Sequence, residues 1–128
     1  MTFIHFNIKG EDLNLDNITE TLQLMPTMTY KKNEERVIKD KNIIYQEDAW
    51  IYSIEIEDED TCEKHIEQFI KQLSINKEYI NNISVKNVSV YIEIVIYSEN
   101  YQYHICIKND LIKKMGEMGL DIWFTYMF

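Results

Sequence analysis

The stretch Val88–Tyr97, which reads VSVYIEIVIY, decides the fold. Every second residue in it is a branched aliphatic: Val88, Val90, Ile92, Ile94 and Ile96. Strict alternation of this kind predicts a β-strand with one face buried in a core. Glu93 falls on the opposite face, and we therefore expect its carboxylate to face solvent.

The same alternation predicts further strands on both sides of this stretch. Residues 2–9 alternate and stop at Gly10, residues 43–56 alternate around Trp50, and residues 120–127 form a last alternating segment. A turn at Glu99-Asn100 followed by residues 101–108 predicts a hairpin partner for the deciding stretch, with Tyr103, Ile105 and Ile107 on its apolar face.

Helical spacing appears between the predicted strands. A short helix is expected after Asp16, which is a favourable N-cap, and before Pro26. The clearest helix covers residues 61–73, where Asp60 and Glu63 have capping-box spacing, and a shorter piece covers 77–83. Another helix is expected after Asn109 as its N-cap, ending at Gly119. This order predicts one α+β domain over residues 1–128, with a mixed or antiparallel, ferredoxin-like sheet of five or six strands and about three helices on one face.

Residues 27–48 are the least regular part of the chain. The segment KKNEERVIKDK, residues 31–41, carries five basic and three acidic side chains. Asn33 is a turn candidate within it, because asparagine tolerates a positive φ. Whether this region is a loop or a pair of strands stays open from the sequence.

The bulk composition restricts the partners. The chain has 128 residues, a length that suits one domain. Its net charge of −9 disfavours binding to nucleic acid and to anionic membranes, since both attract basic proteins.

The N-terminal residues lack the pattern of a secretory signal, and no apolar run approaches the length of a membrane-spanning helix. We therefore expect a cytoplasmic protein whose Cys62 and Cys106 are reduced and buried.

No residue pattern in the sequence indicates a particular chemical reaction. The three glycines do not supply a phosphate-binding loop, and no serine lies in a nucleophile elbow. Cys62 with His65, and His104 with Cys106, add up to a zinc-like ligand set, but Cys62 belongs to the core-facing stripe of its helix whereas His104 and Cys106 point away from the core. We predict no enzyme, no metal and no cofactor.

Two groups of residues are predicted to bind a partner. The first is an acidic run: Glu55, Glu57, Asp58, Glu59 and Asp60. The second is a set of aromatic residues that fall off the main apolar faces: Tyr91, Tyr97, Tyr101 and Trp123. Aromatic residues in such positions are enriched at interfaces and pocket walls. The alternative is that a second helix layer or a dimer contact covers this face of the sheet.

Four segments together resemble one family of bacterial proteins. They are FNIKGEDLNLDNITETLQLMPT near the start, the strand AWIYSI, the helix through CEKHIEQFIKQL and the ending LIKKMGEMGLDIWFTYM. In this order they resemble the domain-of-unknown-function family numbered 4279, over nearly the whole chain. The resemblance implies an α+β domain without a recognised catalytic apparatus.

The leading functional hypothesis is a protein-binding domain of the immunity type. Small acidic single-domain proteins of this kind are frequent as immunity partners of bacterial toxins, and an acidic surface steers a basic partner, such as a toxin domain, towards it. The protein itself would be a monomer or a homodimer. The alternative is a small-molecule-binding regulatory domain with a pocket near residues 27–48, where Lys31, Lys32 and Arg36 would meet an anionic ligand.

Overall fold

The computed structural model describes residues 1–57, 61–84, 86–97 and 104–127. Those residues form seven strands and four helices. The strands are β1 (Thr2–Gly10), β2 (Met28–Tyr30), β3 (Glu35–Ile38), β4 (Lys41–Ile44), β5 (Asp48–Ile56), β6 (Ser89–Tyr97) and β7 (Asp121–Met127). The helices are α1 (Leu15–Leu22), α2 (Cys62–Ser74), α3 (Lys77–Ser84) and α4 (Asn109–Met118). The predicted α+β class is confirmed.

Five strands form one mixed sheet in the order β2-β5-β1-β6-β7. β1 lies in the centre and pairs antiparallel with both β5 and β6, while β7 pairs parallel with β6. β3 and β4 form a separate two-stranded hairpin, so the region left open by the sequence is a strand pair, with β2 preceding it.

The helices pack on one face of the five-stranded sheet. That face carries the alternating aliphatic residues of β1 and β6, which form one hydrophobic core with the buried residues of the helices. The helical members include Ile66, Phe69 and Ile70 of α2, each at most 2% exposed. Burying such side chains supplies roughly 1.5–3 kcal/mol each, so this face accounts for most of the driving force of folding.

Trp50 in β5 anchors the first helix to the sheet. Its ring is fully buried and meets the Phe6 ring edge-on, with centroids 6.1 Å apart. Its Nε1 donates to Thr19 Oγ1 of α1 at 3.0 Å. The buried indole N–H is therefore satisfied, as a Trp in a core requires.

The predicted strand over residues 101–108 is wrong where the structure describes it. Residues 104–108 have no regular structure, although Ile105 and Ile107 do pack against the core. The Cys106 N–H donates to Glu63 Oε1 of α2 at 2.6 Å instead of to a strand. β7 takes the place beside β6 that this segment was expected to fill. The predicted turn at residues 99–100 and Tyr103 lie outside the described residues.

Several helix ends also differ from the prediction. α1 is capped by Asn14, whose Oδ1 accepts from the Asn17 N–H at 3.1 Å, and not by Asp16. Asn109 is the first residue of α4 and not its cap. Asp60 lies outside the described residues, while the turn at Asn33 (φ 70°) and the left-handed Gly119 (φ 71°) are confirmed.

The two cysteines have different surroundings. Cys62 is buried in the core, as expected, whereas Cys106 is exposed, which corrects the expectation that both are buried. Neither takes part in a disulfide. Among the described helices, none combines the length and the apolar character needed to span a bilayer.

Candidate functional site

The face of the sheet opposite the helices is the candidate site, and we call it the open face. The register of the strands places the following residues on it: Phe3, His5, Asn7 and Lys9 of β1; Ile51, Ser53 and Glu55 of β5; Tyr91, Glu93, Val95 and Tyr97 of β6; Trp123, Thr125 and Met127 of β7. None of these residues belongs to the core cluster that the helices cover, although Asn7 and Val95 are themselves buried. No described helix packs its buried residues here.

Aromatic and aliphatic side chains make up half of the open-face residues. Trp123 is 54% exposed, and Tyr97 and Met127 are 46% and 45% exposed. The Trp123 ring stacks on Tyr91 with centroids 4.7 Å apart and planes 21° apart. A large half-exposed tryptophan held in a fixed orientation is the kind of residue that dominates protein interfaces.

A row of polar side chains crosses the middle of the open face. His5 lies between Ser53 on β5 and Glu93 on β6. His5 Nδ1 is 2.6 Å from Ser53 Oγ, and the Thr125 hydroxyl donates to Glu93 Oε2 at 2.8 Å. The row therefore consists of two hydrogen-bonded pairs, Ser53–His5 and Glu93–Thr125. They lie side by side because His5 of β1 is registered beside Glu93 of β6.

The charge of this row is negative at neutral pH. Burial lowers the pKa of His5, and this outweighs the opposing effect of the nearby Glu93 carboxylate. A neutral imidazole does not compensate the charge of Glu93. The open face thus carries a carboxylate near its centre, registered between His5 of β1 and Trp123 of β7.

The Ser53–His5 pair has the residue types of a nucleophile and its base, but the surrounding donors are engaged elsewhere. The Ser53 N–H donates to Thr27 Oγ1 at 2.9 Å. Acyl-transfer chemistry needs N–H groups directed at a developing oxyanion, and the neighbouring backbone belongs to paired strands. The geometry supports a structural role for the pair.

The two ends of the open face differ in charge. Lys9 lies at one end, with its Nζ 5.7 Å from the centre of the Tyr91 ring. Although burial opposes it, interactions with the Tyr91 and Tyr30 phenols raise the pKa of Lys9, so its amine stays protonated. At the other end, Glu55 and the following Glu57 are exposed. Asp58, Glu59 and Asp60 of the predicted acidic run lie outside the described residues, as does Tyr101.

A second polar centre lies at the start of β5, where Asp48 is buried. Its carboxylate accepts from the Leu13 N–H at 3.0 Å, from the Lys32 N–H at 2.8 Å and from Lys31 Nζ at 3.2 Å. Burial alone would raise the pKa of Asp48, but these donors together lower it. Asp48 therefore ties the segment after β1 and the segment after β2 to the sheet.

The three basic residues predicted to meet an anionic ligand all have carboxylate partners. Lys31 pairs with Asp48, Lys32 with Glu11 at 3.1 Å, and Arg36 with Glu34 at 2.8 Å. These pairs involve three different carboxylates. A depression of about 570 Å³ lies beside Lys31, and its other lining residues are Asp12, Leu13, Asn14, Leu15 and Asp16.

Comparison with known proteins places the chain in a family. A family model described as "Domain of unknown function (DUF4279)" matches residues 1–128, the whole chain. The chain belongs to the DUF4279 family. No curated protein and no solved structure matches it. The resemblance carried by its four sequence segments is thereby confirmed.

Some residues of the open face of this DUF4279 protein were predicted from the sequence. Tyr91, Tyr97 and Trp123 lie off the apolar faces as predicted, and so does Glu93. His5, Ser53 and Thr125 were not singled out as one row, because they lie on separate strands and only the register brings them together. The alternation of each strand does assign each of them to a face, and that is the signal from which the row is built.

Proposed function

We propose that this DUF4279 protein is a non-catalytic, protein-binding domain of the immunity type, which neutralises a basic partner through its open face. The observation that carries the proposal is the face itself. It presents Trp123, Tyr97 and Met127, each about half exposed, on a sheet whose other side already holds the helices. An exposed apolar patch of this kind in a monomer is typical of an interaction site.

The charges specify the kind of partner. The protein has a net charge of −9, and the carboxylates of Glu93, Glu55 and Glu57 lie on the open face or at its end. Complementary charge increases the rate of association and disfavours partners of like charge. A toxin domain with a basic surface fits these features.

The polar row supports recognition rather than indiscriminate adhesion. Interface centres combine apolar anchors with a few fixed polar groups. Here the Ser53 and Thr125 hydroxyls hold His5 and Glu93 in place, so the carboxylate is oriented before a partner arrives. Such preorganisation reduces the entropy lost on binding.

The experiment compares capture of a partner by three forms of the protein. Tagged wild-type protein, Trp123→Ser and Ile112→Ser are incubated with lysate of the host, and the retained proteins are quantified by mass spectrometry. Ile112 lies on α4 and is 52% exposed, so its replacement removes a comparably exposed apolar side chain away from the open face.

The proposal predicts a stoichiometric protein that is retained by the wild type and by Ile112→Ser and is lost from Trp123→Ser. Expressed alone, that protein should inhibit growth, and co-expression of the wild-type DUF4279 protein should neutralise it. A partner retained equally by all three forms would show that the open face is not the binding surface. Absence of any partner on the wild type counts against the immunity-type role.

A further inference from the structure

Trp123 has one side of its indole stacked and the other side open. Tyr91 is the ring that Trp123 contacts within the described part of the chain, with the two planes 21° apart. Tyr91 is itself approached by Lys9, whose Nζ lies 5.7 Å from the centre of the phenol ring. Trp123 is 54% exposed, and it is therefore the ring of this stack that still has a surface to offer to a partner.

Glu93 is registered beside Trp123 across β6 and β7. Thr125 Oγ1 donates to Glu93 Oε2 at 2.8 Å. No described side-chain nitrogen or oxygen is both buried and without a hydrogen-bond partner, so the second carboxylate oxygen, Oε1, is accessible. No lysine or arginine among the described residues forms an ion pair with Glu93. The carboxylate is thus held in place and still has an acceptor to offer.

The contacts of Trp123 and Glu93 draw their side chains in opposite directions along two parallel strands. Trp123 stacks on Tyr91, two residues before Glu93 on β6, so the indole leans towards the start of the strands. Glu93 accepts from Thr125, two residues after Trp123 on β7, so its carboxylate leans towards their end. Two residues of a strand span roughly 6.6 Å. The ring and the carboxylate therefore flank one place on the open face.

Both flanks of this place favour a positive charge. Burial lowers the pKa of His5, which is registered on the other side of Glu93. At neutral pH the imidazole is therefore uncharged and leaves the charge of the Glu93 carboxylate uncompensated. The face of an indole also attracts cations, because its π-electrons make the face electronegative.

We propose that Trp123 and Glu93 form a binding site for an arginine side chain of the partner, with the guanidinium stacked on the indole and donating to Glu93 Oε1. A guanidinium is planar, so it can stack on a ring while its N–H groups reach a carboxylate in its own plane. A lysine ammonium is a compact, strongly hydrated charge that cannot stack. The biological source of the arginine rests on the proposed function, but an isolated arginine tests the site without that partner.

The experiment titrates ¹⁵N-labelled protein with N-acetyl-arginine methylamide and follows the two indole N–H signals by NMR. One cation held by two contacts should dissociate at roughly 10 mM, so the probe is added to about 100 mM at constant ionic strength. The Trp123 signal should shift towards saturation, while the signal of the fully buried Trp50 stays in place. A nuclear Overhauser effect should join the Trp123 ring protons to the δ-methylene protons of the probe.

Two further ligands and two variants separate the contributions of shape and charge. The same derivatives of citrulline, which is neutral, and of lysine should bind several-fold more weakly than arginine. Glu93→Gln keeps an acceptor for Thr125 but removes the charge, and it should weaken arginine binding about tenfold. Glu78→Gln makes the same change in charge on an exposed residue of α3, and it should bind arginine as the wild type does.

Three results would each overturn the proposal: an unshifted Trp123 signal, equal binding of arginine and lysine, or equal binding by the two variants. These outcomes are separate from those of partner capture. A partner that is lost from Trp123→Ser, combined with failed arginine binding, removes this site and leaves the proposed function standing. Arginine binding without any captured partner supports the site while the immunity-type role falls.

Discussion

Trp123 of β7 and Tyr91 of β6 stack on the open face, with ring centroids 4.7 Å apart and planes 21° apart. This contact fixes the orientation of an indole that is 54% exposed. The protein's other tryptophan, Trp50, is fully buried in the core. The two indoles therefore report on different parts of the molecule, one on the surface and one on the fold.

We predict that Trp123 contributes much less to stability than Trp50. Trp123→Ala removes one stacked pair and part of a half-exposed surface, and should lower the free energy of unfolding by about 1 kcal/mol. Trp50→Ala leaves a cavity in the core and should cost about 3–5 kcal/mol. Urea denaturation of both variants checks this. Equal losses would mean that Trp123 is a structural residue and not an interface residue.

Asp48 should make the stability of the protein sensitive to acid. The pKa of Asp48 is lower in the folded protein than its ordinary value of 3.8. Its ionised carboxylate therefore makes its full contribution to the free energy of unfolding when the pH is above 3.8. The contribution is lost as the pH falls through the lower, folded-state pKa. Asp48→Asn should lower the free energy of unfolding at neutral pH by about 3 kcal/mol, because Lys31 and two N–H groups lose a buried charged partner.

The control for Asp48 is Glu11→Gln, which breaks the exposed ion pair with Lys32. Exposed pairs contribute about 0–1 kcal/mol, so this variant should resemble the wild type. Urea midpoints measured from neutral to acidic pH compare the three proteins. An Asp48→Asn protein with the same midpoint and the same acid sensitivity as the wild type would contradict the role assigned to this carboxylate.

The two glycines near the end of α4 should respond in opposite directions to alanine. Gly119 has φ 71°, and a Cβ there would lie 2.5 Å from Ser84 Oγ. Gly119→Ala should destabilise by roughly 1–2 kcal/mol, since the backbone conformation and the contact both disfavour a side chain. A Cβ at Gly116 meets nothing within 4 Å, so Gly116→Ala should stabilise by about 0.5–1 kcal/mol. Thermal unfolding measures both, and a stabilising Gly119→Ala would be inconsistent with the left-handed cap.

The sequence predicts the strands and their faces better than it predicts which strands are neighbours. Alternation alone places Tyr91, Tyr97 and Trp123 off the core, because the side of a strand follows from its period of two. The predicted strand at 101–108 failed over its described part, residues 104–108, for a different reason. Ile105 and Ile107 have the same spacing in a strand and in an extended segment packed on the core. The sequence pattern also does not reveal that the Cys106 N–H donates to the distant Glu63.

The role of Asp48 could not be predicted for a similar reason. In the sequence it is one acidic residue before an apolar segment. Its donors at Leu13 and Lys32 are separated from it by 35 and 16 residues. Nor does a local net positive charge reveal the carboxylates that tertiary structure brings to Lys31 and Lys32. The contact of these residues with an anionic ligand stays a prediction.

Reversal of charge at the end of the open face should slow association with the partner. Replacing Glu55 and Glu57 by lysine should lower the association rate by about tenfold at low salt, with a smaller effect at high salt, because salt screens the attraction. Glu78→Lys with Glu117→Lys makes the same change in net charge between α3 and α4. Stopped-flow or surface-binding kinetics should show a smaller effect for this control. A salt-independent association rate, or equal effects of the two pairs, would argue against steering by this end of the face.

The central claim is that the open face binds the partner protein, and the indole resonances of the two tryptophans test it most directly. Two-dimensional NMR spectra of ¹⁵N-labelled protein are recorded while the captured, purified partner is added. The Trp123 indole signal should shift or broaden in step with binding, while the Trp50 signal, fully buried beneath the helices, should stay in place. Binding that leaves the Trp123 signal unchanged would contradict the account.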